Sequence, residues 1–312
     1  TGALGHIGSR LIRSFAESHP GAEVVLLDDL SAQRYVSLFD LPKGARYRFI
    51  EGDATKLDLL PLVQGADCVV HLAAITNAAA SFENQTLVES VNFQATSRVA
   101  EACAASSVPM FYVSSTSVYG TAEDEVDEDS GASVLQPQSP YAETKLREEK
   151  LLAELGASRG LRFIACRFGT IFGTSPGMRF HTAVNKFCWQ AVVGKPVTVW
   201  RTALHQVRPY LDLGDAVSAI NFVVKGNRFD GRIYNVLTLN ATVAEILAVI
   251  QERVSDLQIE YVDAKIMNQL SYRVLNRKFM GLGFQFSGDL GAGVRDTLRL
   301  LENARSGCTG GA

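Results

Sequence analysis

The sequence has no apolar stretch approaching the roughly 20 residues that a helix needs to cross a bilayer, which excludes a transmembrane helix and leads to the expectation of a soluble protein with no membrane partner. It shows no signal peptide, and it begins with Thr-Gly rather than Met. It also lacks an excess of either charge. Lys and Arg number 30 against 33 Asp and Glu, a formal net charge of -3, so there is no basic face of the kind that nucleic acid requires. Paired cysteines are missing too: Cys68, Cys103, Cys166, Cys188 and Cys308 are far apart, odd in number and without a C-x-x-C, and they read as reduced thiols of a cytoplasmic protein. His6, His19, His71, His181 and His205 are as scattered, whereas a structural metal site needs clustered ligands, and no metal is expected. What is present excludes disorder, because 47% of the residues are hydrophobic and only 20% charged. A chain of 312 residues is long enough for one large domain or two modest ones.

The first half alternates short β-branched runs with longer amphipathic stretches. Strands are predicted at Glu23–Leu27, Tyr47–Glu51, Cys68–Leu72, Met110–Ser114 and Arg162–Arg167, each apolar enough to be buried on both faces. Helices are predicted at Ile7–Glu17, Asn92–Ala105 and Pro140–Gly156. This alternation points to an α/β protein with a doubly wound parallel sheet of the Rossmann type. From about Gly173 the pattern changes, with helices predicted at Thr182–Val193, Asp215–Val224, Val243–Val254 and Gly291–Glu302 and a short strand at Gln258–Val262. The expectation is a dinucleotide-binding domain over residues 1–172 and a smaller α/β lobe over 173–312, some of whose segments return to the first sheet. The acidic run Glu123–Asp129 is read as a solvated loop.

Gly2, Gly5 and Gly8 form G-x-x-G-x-x-G and lead directly into a helix. Glycines let the backbone turn tightly and approach a diphosphate, and the helix start offers unpaired N–H groups to the anion. Alone, the triplet equally describes a turn before any helix. Asp28, at the end of the first predicted strand and twenty residues after Gly8, adds a carboxylate suited to both hydroxyls of an adenosine ribose, with Asp29 as the alternative. A carboxylate there repels a 2'-phosphate, which favours NAD over NADP. Such a loop should follow a central strand, and none precedes Thr1. The expectation is therefore that 312 residues is a lower limit, and that a chain starting at Thr1 folds poorly or loses NAD.

Tyr141 and Lys145 stand four apart on one face of a helix introduced by Ser139-Pro140. A cation one turn away favours the phenolate and so brings Tyr141 toward proton exchange with a hydroxyl, and the same lysine can hold a nicotinamide ribose. The segment Val113-Ser114-Ser115-Thr116-Ser117 follows a buried strand, so its hydroxyls emerge at the carboxyl edge of the sheet, where ligands of such folds bind.

With these residues in place the chain resembles the NAD-dependent sugar-nucleotide epimerase/dehydratase family of extended short-chain dehydrogenases/reductases. The resemblance runs from Thr1 to about Val224 and includes Gly52-Asp53-Ala54, His71-Leu72-Ala73-Ala74, Val91-Asn92 and Arg208-Pro209-Tyr210-Leu211-Asp212. It implies Ser115, Tyr141 and Lys145 as catalytic residues. It implies a cofactor site of Gly2, Gly5, His6, Ile7, Gly8, Asp28, Asp29, Asp53, Ala54, Leu72, Ala73, Ala74, Asn92, Tyr141, Lys145 and Phe168, with Asp53 and Ala54 at the adenine and Asn92 steadying the sheet edge. It places Thr76, Ser115, Thr116, Thr170, Asn185 and Arg208 at the substrate, with Asn185 on a phosphate and Arg208 pairing with the nucleotide diphosphate. It also implies a homodimer through the helices 92–105 and 140–156. Thr116 and Ser117 stand where dehydratases of the family carry an Asp-Glu pair, which disfavours dehydration. The expected activity is NAD-dependent epimerisation of a nucleotide-linked sugar; the alternatives are a reductase or dehydrogenase of such a sugar and a non-catalytic NAD-binding protein.

Overall fold

A computed structural model describes residues 1–76, 82, 85–120, 124–263 and 271–304. In chain order the elements are α1 (His6–Ser18), β1 (Glu23–Asp28), β2 (Arg46–Glu51), α2 (Leu60–Val63), β3 (Val69–His71), α3 (Gln85–Ser106), β4 (Met110–Ser115), β5 (Glu125–Val126), α4 (Pro140–Arg159), β6 (Phe163–Phe168) and β7 (Thr170–Phe172). There follow α5 (Ala183–Val192), β8 (Val197–Trp200), β9 (Val207–Asp212), α6 (Leu213–Lys225), β10 (Ile233–Val236), β11 (Leu239–Thr242), α7 (Val243–Gln251), β12 (Ile259–Val262), β13 (Arg273–Val274), α8 (Arg277–Gly281) and α9 (Leu290–Leu301).

The buried strands are parallel, as their unbroken apolar character requires. β10, β6, β4 and β3 form a sheet in that order, and β1 pairs with β2 beside it. The first three residues join the two. The Thr1 nitrogen donates to Val70 O at 2.9 Å, Leu72 N donates to Thr1 O at 3.1 Å, and Ala3 N donates to Leu27 O at 3.3 Å. Successive residues of a strand point to opposite faces, and β4 and β6 show it. Phe111, Ile164 and Cys166 enter one core with Leu11 of α1 and Ile220 of α6, whereas Tyr112, Phe163 and Ala165 enter another with Val99 and Cys103 of α3 and Leu152 of α4. Helices therefore cover both faces, which makes the fold a doubly wound α/β architecture.

The capping chemistry explains where the main helices start and stop. Ser139 accepts from Ala142 N and Pro140 occupies the first turn of α4, while Gly160 at φ 69° ends it. Asp212 caps α6, and Thr242 with Glu245 forms a reciprocal capping box on α7.

After Phe172 the chain builds a second core around Phe187, Tyr210, Ile246 and Val294, and also returns β10 and α6 to the first. Of the short strands here, β12 matches the strand expected at Gln258–Val262, while the others are elements the sequence pattern misses. β9 contains Pro209, which tells against a strand, yet it is flanked by β7 in parallel and by β11 in antiparallel pairing. The acidic run is also more structured than a solvated loop. Glu125–Val126 pairs with Arg273–Val274, and Glu128 accepts from Asn235 N at 2.5 Å, with burial raising its carboxyl. Cys68, Cys103, Cys166 and Cys188 are free thiols, and Cys308 lies outside the described residues. No described helix is long and apolar enough to cross a membrane.

Ile164, the second residue of β6, lies fully buried. Ile164→Ala is expected to cost about 2–5 kcal/mol, read from the shift in the urea unfolding midpoint at unchanged slope.

Candidate active site

The carboxyl ends of β3, β4 and β6, the start of α1 and residues from the later lobe enclose a cavity of about 660 Å³. Gly2, Gly5, His6, Ile7 and Gly8 line one end of it. Two of these glycines are required by close backbone approach. Gly2 has φ 63° and a Cβ there would run into Ala73 N, and a Cβ on Gly8 would collide with Ala3 O. α1 begins with no side-chain cap and no acidic residue in its first turn, so its leading N–H groups are left for a ligand.

The three residues expected to be catalytic, Ser115, Tyr141 and Lys145, all line the same cavity. Ser115 Oγ accepts from Ser117 N at 3.2 Å and from Ser117 Oγ at 2.8 Å, which leaves its own proton for another acceptor. Lys145 Nζ stands 5.9 Å from the centre of the Tyr141 ring. It is almost wholly buried, donates to Tyr112 OH at 3.1 Å and lies 3.3 Å from Glu148. Glu148 is fully buried and takes hydrogen bonds from Tyr112 OH and from Thr96 Oγ1, the latter at 2.7 Å. Thr96 Oγ1 is 3.1 Å from His71 Nε2, and His71 Nδ1 is 2.7 Å from Thr1 Oγ1. A continuous buried polar chain thus connects the lysine to the residue before Gly2. Burial and the neighbouring Glu148 push Tyr112 well above the usual phenol range, so it stays a donor, and burial holds His71 well below the usual imidazole range.

The adjacent Glu149 anchors the other side. It accepts from Ser114 Oγ at 2.5 Å and takes a two-pronged contact from Arg167 at 2.9 and 2.6 Å. Arg167 also donates to Tyr119 OH at 2.8 Å. This pair locks the end of β4, and with it Ser115, to β6.

Leu72, Ala74, Thr76, Thr116, Phe168, Thr170 and Arg208 also line the cavity, Thr116 donating to Phe168 O at 3.2 Å. Other expected site residues lie outside its lining. The Asp28 carboxylate accepts from Leu4 N and Leu30 N, both at 3.0 Å. Asp29 is spent on a turn with Ser31, and Thr55 holds the Asp53 carboxyl down to about 2. The Ala54 side chain is buried in the core shared with α3. Ala73 N lies against Thr1 Oγ1, and the Asn92 amide clamps Ile75 N and O at 2.8 and 3.0 Å. Asn185 is a correction. It is fully buried, and its amide binds Gly173 N, Gly173 O and Arg179 O, so it secures a loop and is not placed to grip a substrate phosphate.

Sequence reading missed Arg34, Ser117, Arg179, His181 and Trp200, which all line the cavity. Ser117 and Arg179 stood beside motif residues, but only the folded chain turns them inward. The Arg179 guanidinium donates to Thr76 Oγ1. Its Nε is buried with no partner among the described residues.

The profile of the NAD-dependent epimerase/dehydratase family matches residues 1–236. The chain belongs to this family. This family member is 30% identical to an uncharacterised UDP-glucose epimerase, YtcB, of Bacillus subtilis, over 81% of this chain and 80% of that one. It is 28% identical to the trifunctional UDP-glucose 4,6-dehydratase, epimerase and reductase RHM3 of Arabidopsis thaliana, matching 96% of this chain but only 46% of that longer enzyme. Among solved structures, MoeE5 in complex with UDP-glucuronic acid and NAD matches with a TM-score of 0.84 at 28% identity, over 97% of this chain and 98% of that one. The family is NAD-dependent, and the site fits that cofactor: the glycine loop leaves room only for backbone, the α1 start has no side-chain cap, and Arg179 Nε is buried with no partner among the described residues.

Removing the Glu148 carboxylate strands Lys145 as an unpaired buried cation. Glu148→Ala is expected to destabilise the fold by about 3–5 kcal/mol in urea titration, several times the effect of removing the exposed Glu23. A pH effect follows from two histidines. Burial, with Arg179 and Arg34 nearby, holds His6 down to about 3 and His181 to about 4, against 6.5 ordinarily. The unfolded chain binds these protons first on acidification, so stability is full above pH 6.5 and declines from there toward pH 4. The urea midpoint is expected to be lower at pH 5 than at pH 7.5, with a smaller drop in His181→Asn.

Proposed function

We propose that the protein is an NAD-dependent epimerase of a nucleotide-linked sugar, acting through a transient keto sugar with Tyr141 as acid and base. One observation carries this reading. The cavity is lined by the Ser115, Tyr141 and Lys145 trio and by further hydroxyls and cations, with no Asp or Glu among the described lining residues. Expelling water from a sugar needs a carboxyl acid and base beside the trio, and Thr116 and Ser117 occupy that place. Moving a hydrogen off and back onto one carbon needs only a proton acceptor and a hydride acceptor.

Tyr141 takes the proton of the sugar hydroxyl, and Ser115 donates to the same oxygen as it becomes a carbonyl. Lys145 supports the phenolate and, held by Glu148 and Tyr112, is positioned to bind the nicotinamide ribose. Bound at the glycine loop, NAD would supply both the hydride acceptor and the hydride donor, with no net change in its oxidation state over the cycle. Arg208, on β9 with its guanidinium 5.3 Å from the Tyr272 ring centre, is the group we assign to the nucleotide diphosphate. We further propose that the chain divides near Gly173 into a cofactor lobe and a substrate lobe. A homodimer through α3 and α4, which lie side by side and leave Leu87 exposed, completes the proposal.

The test is incubation with UDP-glucose and, separately, UDP-glucuronic acid, followed by NMR of the sugar protons and by absorbance at the nicotinamide band. Conversion to an epimer without net absorbance change is expected, and Tyr141→Phe is expected to lower the rate by about 10²–10⁴ with NAD binding retained. A stoichiometric absorbance change would assign a reductase or dehydrogenase instead.

A further inference from the structure

Arg34, Arg179, His6 and His181 gather beside the N-terminal end of α1, and the epimerisation chemistry uses none of them. His6 feels the charges of the other three, and Arg34 Nη1 lies 3.7 Å from where a Cβ on Gly5 would stand. Burial keeps both imidazoles neutral near pH 7, so the two guanidinium groups carry the charge. No carboxylate is among the described residues lining the cavity, and Arg179 Nε is buried with no partner among them. An unpaired cation in that setting is costly to keep, unless a ligand anion completes it.

Arg179 arrives there on a segment held in place by contacts of its own. Ser175 Oγ is 2.8 Å from His6 Nδ1, and Gly177 N donates to Ser9 Oγ at 2.9 Å. A Cβ at residue 177 would collide with Leu4 O and would stand 2.6 Å from Gly5 O, so only glycine lets the segment lie flat on the loop. Behind it, the Asn185 amide pins the backbone of Gly173 and of Arg179. Residues 173–182 therefore form a strap from the later part of the chain, seated directly on the glycine loop.

We propose that this strap is a latch over the cofactor's diphosphate, with Arg179 on the strap and Arg34 on the loop after β1 supplying the positive charge that holds it. The inference rests on the NAD site of the proposed function and extends it. An epimerase that ends each cycle with oxidised cofactor has no need to release it, and a latch with its own cation suits permanent retention.

The experiment uses the full chain. NAD carried through purification is quantified after acid release, NAD affinity is measured by calorimetry on stripped protein, and UDP affinity is measured on NAD-loaded protein. Arg179→Ala is expected to lose most of the retained NAD and to weaken NAD binding about 10- to 100-fold, with UDP binding unchanged. Arg179→Lys should recover part of that loss. Gly177→Ala, which removes no ligand contact, should release NAD as well, because the strap no longer seats; circular dichroism checks that each variant is folded. Wild-type NAD retention in Arg179→Ala would overturn the latch. So would a loss confined to UDP, since Arg179 would then serve the substrate's diphosphate. Failure of wild-type protein to bind NAD at all would instead overturn the cofactor site on which the latch rests.

Discussion

Close backbone approach around the start of α1 is the constraint on which the rest of the molecule depends. Gly2 lets the chain turn against Ala73, Gly8 lets α1 press on Ala3, and Gly177 lets a distant segment lie on Leu4 and Gly5. Three glycines from two regions of sequence thus bring three stretches of backbone within reach at one point. That contact sets the direction of α1, joins β1 to β3 through the Thr1 and Ala3 hydrogen bonds, and leaves uncapped N–H groups facing the cavity. A side chain at any of the three positions would separate layers that the hydrophobic cores can fill only when they touch.

The second organising feature is a pair of neighbouring carboxylates on α4. Glu148 and Glu149 are both buried, yet they serve different networks because successive helical residues diverge by about 100°. Glu148 holds Lys145 and Tyr112 and reaches, through Thr96 and His71, back to the glycine loop. Glu149 holds Arg167 and Ser114 and so the strand end that presents Ser115. Charge burial of this kind contributes little to net stability. Its effect is positional: the lysine and serine on either side of Tyr141 are each tied to rigid strands by a satisfied carboxylate.

Much of this was legible in sequence, for identifiable reasons. The buried strands β4 and β6 were found because parallel strands covered on both faces are continuous apolar runs; β2 was found too, but it alternates exposed and half-buried residues and is not covered on both faces as expected, and α4 was found because Ser139-Pro140 writes its start, although it runs past the expected Gly156 to its cap at Gly160. That Ser115, Tyr141 and Lys145 would line one cavity could be anticipated because they sit at fixed offsets from a strand end and a helix start. β9 was missed because Pro209 argues locally against a strand, while its pairing partners come from 29 to 40 residues away on the two sides. Asn185 was misread because its position on a helix face says nothing of which backbone it meets. Arg179 was passed over because its importance lies in what surrounds it.

By itself, the sequence determined the α/β class, the glycine loop before α1 and the offsets that bring Ser115, Tyr141 and Lys145 to one cavity, since each depends on spacing within a turn, a strand or a helix. Tertiary structure alone decided that the cavity wall carries no described carboxylate, that Lys145 is anchored by Glu148 and Tyr112, and that a segment near residue 177 covers the loop near residue 5. Those facts join residues up to 170 positions apart. Burial and charge pairing act through space, and no local pattern along the chain encodes them.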